Sequence, residues 1–201
     1  MKYACPGPPS ARIKISFGSY RWLTSRRIAK VSAASGLPAM ATCLGSGKSE
    51  GVIEFVPQVG DFVGSSKLLF ILHDGADAID ERKLRPSVVL GAERTMEQDP
   101  LFAFRILVDI ANKALSKAIY DPTTAVLAID QLHRLLRSAG TRNLRTDQIL
   151  DRAGELRVIF RTPNWEDFVH LAFTEIRFYG AENMQIARRL RAMIISLTDI
   201  D

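Results

Sequence analysis

The sequence predicts an α+β protein, mostly α, in which a helical bundle of about four long helices follows a small β module. Two Asp-Pro pairs, Asp99-Pro100 and Asp121-Pro122, each stand at the head of a long apolar run. An Asp accepts hydrogen bonds from the free N–H groups of a first helical turn, and a Pro fits where the missing N–H is not needed. Upstream, Val52-Ile-Glu-Phe-Val56, Val59-Gly-Asp-Phe-Val63 and Leu68-Leu-Phe-Ile-Leu72 are short β-rich runs separated by Gly and Ser. Downstream, Gly140 and Gly180 stop two helical patterns, and Asn183 stands before another.

Residues 1–49 hold Pro6, Pro8, Pro9, scattered glycines, and Ser and Arg without an acid. Their composition resembles a transit peptide, but the stronger expectation is an irregular basic leader, or the product of a truncated or misplaced reading frame. Gly45-Ser-Gly-Lys-Ser49 has the end of a phosphate loop, yet the first glycine of that motif would fall at Thr42, so no phosphate cradle is expected. Residues 50–78 make up the β module. Its Gly60-Asp61 turn resembles that of lipoyl and biotinyl carrier hairpins, but the chain continues Leu72-His-Asp-Gly-Ala76 with no lysine to modify.

Residues 79–201 form the helical domain, opening on a helical connector from about Ile79 to Gln98 that is broken at Pro86. In the first main helix Arg105, Asp109, Asn112, Lys113 and Ser116 make a narrow polar stripe on an apolar cylinder, which predicts a central, mostly buried helix. The second, Pro122 to about Ser138, turns Leu127, Ile129, Leu132, Leu135 and Leu136 inward and Asp130, His133, Arg134 and Arg137 toward solvent. Residues 141–156 are a polar stretch, and Leu156-Arg-Val-Ile-Phe160 reads as an additional strand able to join the β module. Thr162-Pro163 opens a helix carrying Trp165, Phe168, Leu171, Ala172 and Ile176. The last helix buries Ile186, Leu190, Met193, Ile194 and Leu197 and leaves Arg188, Arg189 and Arg191 outside.

The net charge of +5 is unevenly spread. The first 49 residues carry 8 Lys and Arg, whereas the remainder carries 19 basic against 22 acidic residues. The folded part is therefore slightly acidic, and because tracking phosphates along a nucleic acid needs a clustered basic face, nucleic acid is not expected as a partner. Cys5 and Cys43 give neither a disulfide framework nor a zinc spacing. His73, His133 and His170 sit in different elements without HxH or HExxH spacing, so no metal site is expected. No nucleophile elbow and no Cys–His pair is present, so neither a catalytic residue nor a cofactor is assigned, and the reading leans away from an enzyme. No run reaches the ~18 uncharged apolar residues of a spanning helix.

The stretch Gln98-Asp-Pro-Leu-Phe-Ala-Phe-Arg-Ile-Leu-Val-Asp-Ile-Ala-Asn-Lys-Ala-Leu-Ser-Lys-Ala-Ile-Tyr-Asp-Pro-Thr-Thr-Ala125 resembles the signature of a bacterial family of predicted membrane proteins, the domain of unknown function twenty-two fifty-four. Val59-Gly-Asp-Phe-Val63, Glu93-Arg-Thr-Met-Glu-Gln-Asp-Pro100 and Trp165-Glu-Asp-Phe-Val-His-Leu-Ala-Phe-Thr-Glu-Ile-Arg-Phe-Tyr-Gly-Ala181 resemble it too, in the right order, over about residues 51–201. The resemblance implies several membrane spans before this region and membrane association for the whole protein. A chain without those spans would be cytoplasmic. The sequence departs from the family pattern at Ser116-Lys-Ala-Ile-Tyr120, where Ser-Pro, a small residue, Ile and Asn usually precede Asp-Pro-Thr-Thr.

Arg94, Gln98, Asp99, Arg105, Asp109, Asp121, Thr123 and Thr124 form the candidate polar site, because the first main helix is entered at Asp99 and left just before Asp121. An anion at the helix start marked by Pro122 and Thr123 is one reading. The favoured one is that Asp99 and Asp121 are caps and Arg105, Asp109 and Lys113 pair along one stripe, with Asp121 already occupying the positive helix end. Function is expected to be noncatalytic: protein association at the membrane, with a homo-oligomer or a membrane protein as partner. The alternative is a small-molecule or anion-binding regulatory domain linked to transport, its ligand unknown.

Overall fold

The structure, a computed structural model, describes residues 9–14, 28–33, 51–64, 67–73, 84–91, 94, 96, 99–144 and 147–199. The chain divides into two compact units, residues 1–99 with 145–162, and residues 100–144 with 163–201. The first division between the units falls between Asp99 and Pro100.

The first unit carries eight described strands: β1 (Pro9–Lys14), β2 (Ile28–Ala33), β3 (Val52–Phe55), β4 (Phe62–Gly64), β5 (Leu68–His73), β6 (Val89–Gly91), β7 (Gln148–Leu150) and β8 (Leu156–Phe160). One sheet has the order β1-β5-β3-β8-β7 and the other β4-β2-β6. All described pairs are antiparallel except β3 with β8, where Ile53 faces Val158 and Phe55 faces Phe160. Leu156–Phe160 therefore does join the β module. Ile53, Phe55, Val63, Phe70, Leu72 and Val158 are buried, and the Phe55 and Phe70 rings meet at 5.4 Å.

Three sequence expectations change here. The segment expected to be an irregular leader contributes β1 at a sheet edge, where Pro9 is tolerated, and β2 in the middle of the other sheet. Both alternate apolar with polar residues, Ser10, Arg12 and Lys14 in β1 and Lys30 and Ser32 in β2, but over runs this short the strand is defined by a backbone ladder to a partner far along the chain. The described part of the connector is not mainly α-helical: a 3-10 turn at Arg85–Ser87, centred on Pro86, leads into β6, and Leu84, Val88 and Leu90 are buried. Within the polar stretch 141–156, Gln148–Leu150 pairs with β8. Its turn is built by Asp151, which accepts from Ala153 N–H at 2.8 Å, Glu155 N–H at 3.0 Å and Arg157 Nε at 2.8 Å.

The second unit holds four helices, α1 (Pro100–Ala114), α2 (Pro122–Gly140), α3 (Trp165–Tyr179) and α4 (Met184–Leu197). Phe104, Val108 and Ala111 of α1, Ile129, Leu132 and Leu136 of α2, Phe168, Ala172 and Ile176 of α3, and Ile186, Leu190 and Met193 of α4 share one core. The Phe104 and Phe168 rings lie 4.9 Å apart across α1 and α3. Leu127 and Ile194, expected inside, are 58% and 51% exposed, and the buried stripe of α2 is completed by Ala125 and Ala128. Asn164 and Asp167 form a capping box at the start of α3. Asn183 caps α4 by accepting from Gln185 and Ile186 N–H groups at 3.0 and 3.1 Å. Gly180 follows the last turn of α3 at φ −96°, outside the left-handed region, and is glycine because a Cβ there would collide with Cγ2 of buried Ile186. The mixed α+β class is what the structure shows.

Candidate functional site

The candidate polar residues fall into three contacts. In the first unit, Arg94 Nε donates to Asp99 Oδ2 at 2.6 Å, and the Asp99 carboxylate is 3% exposed. Enclosing a carboxylate is costly unless it is paired and hydrogen-bonded, and Arg94 supplies both. Gly60, in the left-handed region at φ +90°, leaves the space that the pair fills, since a Cβ there would lie 2.3 Å from Asp99 Oδ2. The Gly60-Asp61 turn is closed by Gln58 N–H donating to Asp61 Oδ2 at 3.0 Å. Gln98 lies outside the described residues.

The second contact is a seam between α1 and α3. Arg105 Nη1 donates to Glu175 Oε1 at 2.6 Å and lies 3.5 Å from Asp109 Oδ1. Asn112 Nδ2 donates to the other Glu175 oxygen at 2.9 Å. Glu175 was not among the sequence candidates. The signal was its place beside Phe168, Leu171, Ala172 and Ile176, on the side of α3 that its apolar spacing turns toward the core.

The third contact is a cap. Asp121 accepts from the Thr124 backbone N–H at 3.1 Å and from its hydroxyl, while Thr123 is exposed. The Thr124 hydroxyl, then its N–H, hold the Asp121 carboxyl below the usual carboxylate range. The start of α2 is thus occupied by the protein's own carboxylate.

Asp130 and His133, expected to face water, instead join α2 to α4. Arg189 Nε donates to Asp130 Oδ1, and Arg189 Nη2 donates to His133 Nδ1 at 2.9 Å. Because a guanidinium only donates, Nδ1 must be bare and Nε2 must carry the proton, which it gives to Ser196 Oγ at 3.0 Å. Arg137 Nη1 donates to the same Oγ at 3.0 Å. Burial, then the Arg189 and Arg137 charges, hold the imidazole below its ordinary value against the pull of Asp130. In the first unit, buried His73 meets Glu54 Oε2 at 3.0 Å through Nε2. Among the described residues no group of three or more His, Cys, Asp or Glu is placed to hold a metal ion.

The turns α1–α2 and α3–α4 meet at one end of the helical unit, where Asn183 Nδ2 donates to the Tyr120 hydroxyl at 3.2 Å. Tyr120 is a left-handed residue at φ +43°. Its side chain is exposed, as are Ile119, Phe178, Tyr179 and Met184, and the Phe178 and Tyr179 rings meet edge to face at 5.6 Å. A groove of about 670 Å³ at this end is lined by Thr174, Glu175, Arg177, Phe178, Tyr179 and Ala181.

The family described as "Predicted membrane protein (DUF2254)" matches residues 45–196, which includes both described sheets in part, α1 to α3 whole and α4 to its penultimate residue. The chain belongs to this family. It is 35% identical over 143 residues to uncharacterized proteins of Mycobacterium tuberculosis and Mycobacterium bovis, an alignment covering 68% of this chain. The match spans 27% of the length of each relative, so the chain corresponds to about a quarter of those proteins. No solved structure matches the chain. No described helix is long and apolar enough to cross a membrane.

Proposed function

We propose that this family member is a noncatalytic domain that acts by protein association at the membrane, with its four helices serving as a bundle that presents the contact surface. The observation that carries the reading is how the polar candidates are used. Arg94 and Asp99 neutralise each other beside Gly60, Arg105 and Asn112 hold Glu175, and Asp121 caps α2. Each contact serves the fold, while the α1–α2 and α3–α4 turns expose Ile119, Tyr120, Phe178, Tyr179 and Met184 beside their charged neighbours. Family membership supports the membrane setting.

The anion-binding alternative is disfavoured at α2, where the Asp121 carboxylate repels a second negative charge. Co-expression tests the association reading: the chain is produced with the M. tuberculosis relative from which the matched 143 residues have been deleted. Stable co-purification from detergent is expected. Failure to co-purify, or turnover of an ester, phosphate or nucleotide that Asp109→Asn abolishes without unfolding the domain, overturns it.

A further inference from the structure

We infer that the end of the helical unit formed by the α1–α2 and α3–α4 turns is a docking surface for an anionic phospholipid bilayer. Ile119, Tyr120, Phe178, Tyr179 and Met184 are 52%, 63%, 79%, 55% and 67% exposed. They come from two turns that the Asn183–Tyr120 hydrogen bond holds together. Isolated exposed apolar residues need no explanation, but a contiguous group with two tyrosines and a phenylalanine marks a contact surface. Tyrosine suits the headgroup layer because its ring is apolar and its hydroxyl remains hydrated.

Charge selects the occupant. Lys117 lies three residues before Tyr120, Arg177 immediately before Phe178, and Arg188 one turn beyond Met184, and these cations outnumber Glu182, the exposed acid of the α3–α4 turn. All three are exposed, and among the described residues no acid pairs with them. A second copy docked through the same face would bring these three cations of each chain into one interface against a single Glu182 from each, a net like-charge contact. Lipid phosphates satisfy them while the rings enter the acyl boundary.

Backbone conformation adds a second, independent sign. A bulky residue at positive φ is disfavoured, and Tyr120 sits at φ +43°. Here the strained residue is a tyrosine whose ring is presented outward, which is where stored backbone strain points to function.

Co-sedimentation of the full chain with vesicles decides the matter, using pure phosphatidylcholine and phosphatidylcholine mixed with phosphatidylglycerol. Binding is expected only to the mixed vesicles. Arg177→Gln with Arg188→Gln should weaken it roughly thirtyfold, as two surface cations are lost. Phe178→Ser with Tyr179→Ser should abolish it, and Arg152→Gln, in the β7–β8 turn, should leave it unchanged. The two double variants act independently, so the charge pair still decides if the aromatic pair fails to fold. Absence of binding, equal binding to neutral vesicles, or wild-type binding by the charge variant each overturns the proposal. Self-association abolished by the tip variants, with no vesicle binding, assigns the surface to a second copy and overturns it as well. The vesicles contain no protein, so a negative result removes the lipid contact and leaves the association reading to its own test.

Discussion

Tyr120 shows how one backbone angle can constrain a turn. Ser116 O accepts its N–H at 2.9 Å and Ala114 O accepts from Asp121 N–H at 2.7 Å, so the chain must reverse within a few residues before Asp121 caps α2. The reversal places Tyr120 at φ +43°, where an L side chain crowds its own carbonyl. Tyr120→Asn should therefore stabilise the domain, but by less than the ~1 kcal/mol of strain it relieves, because the exposed hydrogen bond from Asn183 to the Tyr120 hydroxyl is lost. A higher urea midpoint with unchanged slope is the expected result. The same variant should weaken vesicle binding, separating what the residue does for the fold from what it does at the surface.

At the scale of elements, two polar seams tie the helices pairwise. Between α1 and α3, Glu175 accepts from both Arg105 and Asn112. Glu175→Ala leaves two donors without their acceptor, and the expected loss is about 1–2 kcal/mol, measured by denaturant unfolding. Glu175→Gln should lose less, because its carbonyl still accepts one of the two bonds.

Between α2 and α4 the seam depends on protonation. His133 accepts from Arg189 through Nδ1, so adding a proton there ends that bond and sets imidazolium beside guanidinium. The folded pKa is depressed below the ordinary value of about 6.5. Between those two values the unfolded chain binds the extra proton, so stability rises with pH through the window and is lost on acidification below about 6.5. Unfolding midpoints taken on either side of that pH should differ in the wild type, and His133→Gln should reduce the difference.

For the whole molecule, the order of segments matters as much as their content. The first unit is completed by residues 145–162, which supply β7 and β8, and the second by residues 163–201, which supply α3 and α4. A chain ending at residue 144 would leave β3 without its parallel neighbour and would uncover Phe104 and Ile129 of the helical core. An unpaired strand edge and exposed apolar faces favour aggregation. Such a truncation should lose cooperative thermal unfolding and aggregate. Both compact units should be affected, since each is missing an element.

Much of the local structure was determined by sequence alone. The Asp121 cap before Pro122, the Asn183 cap, the stop at Gly180, the strands near residues 52–72 and the addition of Leu156–Phe160 all rest on turn chemistry or periodicity within a few residues. The family signature around residues 98–125 was equally local, and it led to the family that matches residues 45–196. Tertiary structure decided the rest. β1 and β2 exist through ladders to distant strands, Glu175 matters because α3 lies against α1, and His133 became a helix linker rather than a wet surface residue because Arg189 faces it. The physical reason is the same in each case: periodicity within a segment shows which face is turned inward but not which residue tens of positions away will bond to it, and only packing brings the partners together.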